Sequence, residues 1–224
     1  MVQVTGDFEK AVKESSKVLA IRGRVIPATV SNVHLVAEYE DGSITEGEAQ
    51  IPSRKSRIKR VFLNPADAVP TQEAIEAIAE ADVIILGPGS LYTSVIPNLV
   101  IKGIAPAMAK SGAYKIYVCN VMTQPGETDR YTASDHVKAI IEHSDRHVLN
   151  ACLANVAEVP AEAQVRYRSE DSFPVMPDMA EIEALGCQAV GTDLLSVKDY
   201  VRHDSEKLTK ALIQVIEKHS VIKR

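Results

Sequence analysis

From residue 58 onward the apolar positions fall into two alternating rhythms. Short, nearly continuous apolar runs stand at DVIILG (82–87), YKIYVCN (114–120), HVLNACLAN (147–155) and CQAVGTDLL (187–195). Between them lie stretches with an apolar residue every three or four positions: TQEAIEAIAEA after Pro70, IPNLVIKGIAPAMAKS, TASDHVKAIIEHS, a short piece around 160–169, DMAEIEALG and the terminal HDSEKLTKALIQVIEKH. Continuous apolar runs suit strands with both faces covered, and the three-and-four spacing suits amphipathic helices. Strands alternating with helices predict an α/β fold built on a mainly parallel, right-handed, doubly wound sheet. IKRVFLNP at 58–65 reads as the first strand of this part.

The earlier residues differ. A helix is predicted after Asp7, with Phe8, Ala11, Val12, Ser15, Val18 and Leu19 as its stripe. RVIPAT (24–29) is β-like. VHLVAEYE (33–40) alternates apolar and polar positions, and Asp41-Gly42 followed by SITEGEAQI predicts a small antiparallel β-hairpin. No repeat or linker divides the chain, so residues 1–224 are taken as one domain.

Composition narrows the function. Of 224 residues, 46% are hydrophobic and 25% charged, as in an ordinary globular protein, and the net charge of −5 gives no reason to expect a nucleic-acid partner. The one basic run, Arg54 to Arg60, reads as a solvated loop or edge strand. No apolar stretch approaches the ~20 residues of a membrane span, and no signal peptide stands at the start, so a soluble cytoplasmic protein is expected. Cys119, Cys152 and Cys187 suit buried reduced thiols, and no Cys/His spacing suggests zinc. His136, His143 and His147 fit a solvated helix face better than a metal site.

In open α/β sheets ligands bind beyond the carboxyl ends of the strands. Two such ends carry unusual residues. The first is Gly87-Pro88-Gly89-Ser90, with Thr93, Ser94 and Asn98. It is not a P-loop, because no Gly-Lys-Ser/Thr follows, and Tyr92 breaks the dinucleotide fingerprint. Yet its glycines allow close backbone approach, and the N–H groups of Gly89, Ser90 and Leu91 would face an anion at a helix start. A strand-to-helix turn capped by Ser90 explains the same residues. Both readings stand on pattern alone. The second end runs from Asn120 through Thr123 to Asp129, Arg130 and Tyr131: an acceptor, an anion-pairing fork and a ring, or simply surface ion pairs and a helix start. Arg166 and Arg168 flank Tyr167 in another basic-aromatic cluster. No catalytic constellation is evident.

GRVIPAT with VHLVAEYEDG, VFLNP, ADVIILGPGSLYTSVIPNLV, YVCNVMTQPGETDRYTASDHV and LGCQAV together resemble the gluconeogenesis-factor (YvcK) family of the CofD-like superfamily. The resemblance implies a Rossmann-like fold and a non-catalytic regulator that binds UDP-N-acetylglucosamine. Such regulators are linked to gluconeogenic growth, cell shape, cell-wall precursor supply and a regulated cytosolic enzyme. It needs no cofactor. On this reading Gly87–Ser90 cradles phosphate, supported by Thr93, Ser94 and Asn98. Asn120, Thr123, Asp129, Arg130 and Tyr131 surround base or sugar, and Arg166 or Arg168 closes over the diphosphate. The alternative implied is a CofD-type transferase of a phospholactyl group from a nucleotide-activated donor, with magnesium. The family's G-G-G-T-G and D-D-G-G-S-S-G segments have no counterpart in the chain. An N-terminal portion missing from the domain would leave an unpaired sheet edge, so a homo-oligomer is expected.

Overall fold

A computed structural model describes residues 23–54, 56–197 and 200–219. The helix expected after Asp7 lies outside the described residues. An antiparallel sheet comes first: β1 (His34–Tyr39), β2 (Ile44–Glu46) and β3 (Ile58–Asn64), in the order β2-β1-β3. The hairpin turns where Asp41-Gly42 predicted, and the Asp41 carboxylate accepts from both the backbone N–H and the hydroxyl of Ser43.

β3 is the third strand of this sheet rather than the first of the parallel one. Its burial explains why: Ile58, Val61 and Leu63 point inward while Lys59 and Arg60 pair with Glu38 on the outer face. One wet face suits an antiparallel sheet, whereas parallel strands are covered on both sides. RVIPAT forms no strand, but Ile26 and Ala28 still pack on the core.

The second sheet is parallel, in the order β4 (Val83–Leu86), β5 (Tyr114–Val118), β6 (Ala151–Asn155), β7 (Gln188–Thr192). The order follows the chain, without a reversal among these four strands. Helices nevertheless lie on both faces. On one, Ile116 of β5 and Leu153 of β6 meet Ala211 and Val215 of the terminal helix α7 (Ser205–Lys218). On the other, Leu86, Tyr117, Cys119 and Cys152 meet the connecting helices. These helices are α1 (Gln72–Glu80), α2 (Ile96–Leu99), α3 (Ile104–Lys110), α4 (Ala133–Glu142), α5 (Ala161–Arg168) and α6 (Met179–Ala184). Leu35, Tyr39, Val61 and Leu63 belong to the same core, so the antiparallel sheet packs into the α/β layer. A two-rung ladder, β8 (Leu195–Ser196) with β9 (Arg202–His203), precedes α7.

The three cysteines are free and buried. The solvated-face expectation fails for two of the three histidines. His136 joins Ala133, Val137 and Ile140 on the buried stripe of α4, because three- and four-residue steps return it to the apolar face. His143 pins that helix to β3: its Nε2 accepts from the Val61 N–H at 3.0 Å, and its Nδ1 meets the Ala139 carbonyl at 2.7 Å. The first bond leaves the proton on Nδ1, and burial favours this neutral ring. Only His147 is exposed, against Asp145.

Candidate functional site

β4 and β5 are neighbours and parallel, so the loops that follow them leave the sheet side by side. Gly87 turns out of β4 with φ +85, and an added Cβ would lie 3.2 Å from the Val118 carbonyl of β5. Both conditions call for glycine. The Gly87–Pro88 peptide is cis. The chain then enters a π-helical turn, Leu91–Val95, in which the N–H of Val95 bonds back to the Ser90 carbonyl at 2.9 Å. Such turns recur at functional sites.

Ser90 does not cap this helix. Its hydroxyl accepts from Gln124 Nε2 at 2.7 Å, and Gln124 Oε1 in turn accepts from Asn120 Nδ2 at 3.1 Å. The glycine loop and the loop after β5 are thus tied through one glutamine. The helix start is served instead by Glu127, a buried carboxylate that accepts from the Thr93 hydroxyl at 3.2 Å and from the backbone N–H groups of Tyr92 and Thr93. Burial raises its pKa, opposed by those bonds. Among the described residues, no acceptor meets the N–H groups of Gly89, Ser90 or Leu91. The loop therefore keeps three donors free, one position ahead of those that Glu127 takes.

Other residues marked in the sequence have structural partners. Asn98 donates to the Ser94 carbonyl at 2.8 Å, holding the turn. Thr123 is buried, and its hydroxyl accepts from Phe173 N–H at 2.9 Å. Tyr131 is also buried, its hydroxyl 2.8 Å from that of Tyr92, so its ring is walled in rather than free to stack on a base. Arg166 lies over the rings of Tyr167 and Tyr200, and Arg168 donates to Gln164 at 3.3 Å. Both belong to α5, which has no buried residue.

Two clefts of about 500 Å3 take in some of the candidates. One runs from Gly87, Pro88, Gly89, Ser94 and Asn98 along apolar Ile26, Ala28, Ile84 and Val95, on the outer side of β4. The other lies between Pro52, Ser53, Arg54, Ser56 and Arg57 and the loop Pro125–Tyr131, and holds Asp129 and Arg130 together with Arg54 and Arg57. Ser90, Thr93, Asn120, Thr123, Arg166 and Arg168 line neither. Sequence reading missed Gln124, Glu127, Arg54 and Arg57. The available signal was topological: adjacent parallel strands place their following loops in contact. Among the described residues, no three His, Cys, Asp or Glu side chains are grouped so that they could hold a metal ion.

Comparison with known proteins adds to this geometry. Residues 1–195 match a family model described as 2-phospho-L-lactate transferase CofD. The gluconeogenesis factor of Bacillus subtilis is 45% identical over 218 residues, covering 97% of this chain and 69% of that protein. A putative gluconeogenesis factor of a Nostoc species is 47% identical over 217 residues, 96% of this chain and 48% of its own length. A crystal structure of a UPF0052-family protein from Bacillus halodurans aligns with TM-score 0.90 at 44% identity, over 95% of this chain and 68% of that one. The chain thus spans about two thirds of the Bacillus proteins and about half of the Nostoc one.

Proposed function

Because the chain belongs to the CofD family and sits among its gluconeogenesis factors, we propose that it is a regulatory module that binds a nucleotide-sugar, UDP-N-acetylglucosamine. The observation that carries this reading is the set of unpartnered N–H groups at Gly89, Ser90 and Leu91, beside a loop that Gln124 holds in place. Convergent backbone donors at a helix start favour an anion without any lysine, and here they would take the diphosphate. The apolar groove along Ile26, Ala28 and Ile84 would accept the faces of the attached rings. Asn120 and Gln124 offer amide groups to hydroxyls or to the base. Such binding couples sugar-nucleotide supply to gluconeogenic growth, cell shape and cell-wall precursor supply through a regulated cytosolic enzyme, with no chemical step by this chain.

The test is a thermal-shift panel. Ligand at a hundred times its Kd adds ~2.7 kcal/mol, or about 5–10 °C for a domain of this size. UDP-N-acetylglucosamine is expected to stabilise, whereas GDP and NAD are not. Gly89→Asp, which puts a carboxylate among the free donors, abolishes the shift. Gly89→Ala, whose Cβ meets that of Ser94 at 3.3 Å, reduces it. If saturating UDP-N-acetylglucosamine leaves the transition unmoved, the reading fails.

One finding favours a second reading: the family model that covers residues 1–195 is described as a transferase. Turnover of a nucleotide-activated donor by the purified chain would establish it.

A further inference from the structure

We propose that the cleft lined by Pro52, Ser53, Arg54, Ser56 and Arg57 on one side and the loop Pro125–Tyr131 on the other is a second ligand site, built for the phosphate ester of a hydroxylated small molecule, with Arg54, Arg57 and Arg130 on the phosphate. It goes beyond the nucleotide-sugar reading and stands on a different cleft.

Two segments some seventy residues apart in sequence form its walls. They are pressed together at Gly126, where φ is +78 and an added Cβ would overlap the Pro52 carbonyl. Contact this close at a glycine fixes the spacing of the walls.

Two of the three guanidinium groups, those of Arg54 and Arg130, have no ion-pair partner among the described residues. Arg54 lies 5.9 Å over the Tyr39 ring and spends only its Nε, on the Thr45 hydroxyl at 3.3 Å. Arg57 lies 5.0 Å over the Tyr131 ring and makes long ion pairs with Glu40 at 3.8 Å and Asp135 at 4.0 Å, so it is the partly neutralised member of the three. Arg130 has no ion-pair or hydrogen-bond partner among the described residues, although its backbone is held at φ +61. A left-handed arginine is strained and persists where the surroundings fix it, commonly at ligand clamps. Planar forks held on aromatic faces suit a phosphate, which they grip in pairs.

The carboxylates in the cleft separate a phosphate ester from a bare anion. Glu127 is turned to Thr93, and Asp129 accepts from the Gly126 N–H at 2.9 Å. The outer oxygen of Asp129 and the exposed carboxylate of Asp171, itself at φ +55, remain as acceptors. They would repel an anion placed against them, but they match the hydroxyl groups of a sugar whose phosphate reaches the arginines. Half-exposed Phe173 offers an apolar face for a pyranose ring.

Glucose 6-phosphate is the probe, titrated calorimetrically into the full chain beside glucose and inorganic phosphate. Saturable binding of glucose 6-phosphate is expected, at least about tenfold tighter than either fragment. The double variant Arg54→Gln/Arg130→Gly should lose that binding by about tenfold or more. Its melting temperature should not fall, because glycine relieves the left-handed position. Arg57 is left in place because it packs on Tyr131. UDP-N-acetylglucosamine, titrated into the same variant, keeps its thermal shift, so failure at one cleft is distinguished from failure at the other. No saturable binding, binding unchanged in the double variant, or phosphate alone binding as tightly as the ester would each overturn the proposal.

Discussion

Gln124→Met keeps the side chain's length and removes both of its polar atoms. Two bonds disappear: the donation to Ser90 at 2.7 Å and the acceptance from Asn120 at 3.1 Å. The backbone bond from Gln124 N–H to the Thr128 hydroxyl at 2.9 Å survives, so the loop itself stays closed. Each lost bond is worth about 1 kcal/mol net, and both partners are only partly reachable by water. The expected loss is ~2 kcal/mol, since one partner can recover a water. For a chain of this size that lowers the melting temperature by about 4–8 °C. The larger effect falls on ligand: without its tether Ser90 no longer fixes the loop that carries the three free N–H groups, and affinity for UDP-N-acetylglucosamine drops about tenfold or more. Melting curves with and without the nucleotide-sugar read both. A variant that melts like the parent and responds equally to ligand would refute the claim that Gln124 couples the two loops.

Glu127→Gln tests the internal carboxylate. Burial raises the folded pKa of Glu127 above its usual 4.5, so the protonated form favours folding and that contribution is lost as pH rises through the folded value. Urea unfolding should therefore show the parent losing ground against Glu127→Gln as pH rises above the usual 4.5; parallel pH profiles would refute this. Gly126→Ala, at φ +78 and against the Pro52 carbonyl, should cost about 3 kcal/mol or more and lower the urea midpoint accordingly; a midpoint within error of the parent would contradict the packed wall. Asp204→Ala removes the cap that accepts from the N–H groups of Glu206 and Lys207, and should cost about 1 kcal/mol by thermal melting.

Local patterns were legible wherever one element decided them. Asp41-Gly42 placed the hairpin, Thr132 placed the start of α4, and the continuous apolar runs placed β4 to β7. β3 was assigned to the wrong sheet because a short strand's partner is chosen by which face it can bury, and that depends on β1, some twenty residues away. His136 and His143 were read as solvated because histidine is usually exposed. Their spacing in fact continues the apolar stripe of α4, and one ring satisfies a strand N–H that the helix covers. The glycine loop was visible as a candidate but not as a mechanism. Ser90 as a cap and Ser90 as a tether look identical in one dimension; the difference is Gln124, 34 residues on. Arg54 and Arg57 sat in a run of like charges whose ordinary reading is a wet surface. Only the glycine contact at 126 reveals that Arg54 and Arg57 stand in one wall of a cleft.

The central claim is that Gly89, Ser90 and Leu91 form an anion cradle without a lysine. A crystal structure of the chain with UDP-N-acetylglucosamine tests it most directly. The account predicts diphosphate oxygens within hydrogen-bond distance of those backbone N–H groups, with the Ser90–Gln124 bond intact. A diphosphate lodged on Arg54, Arg57 and Arg130, with the glycine loop empty, would contradict it.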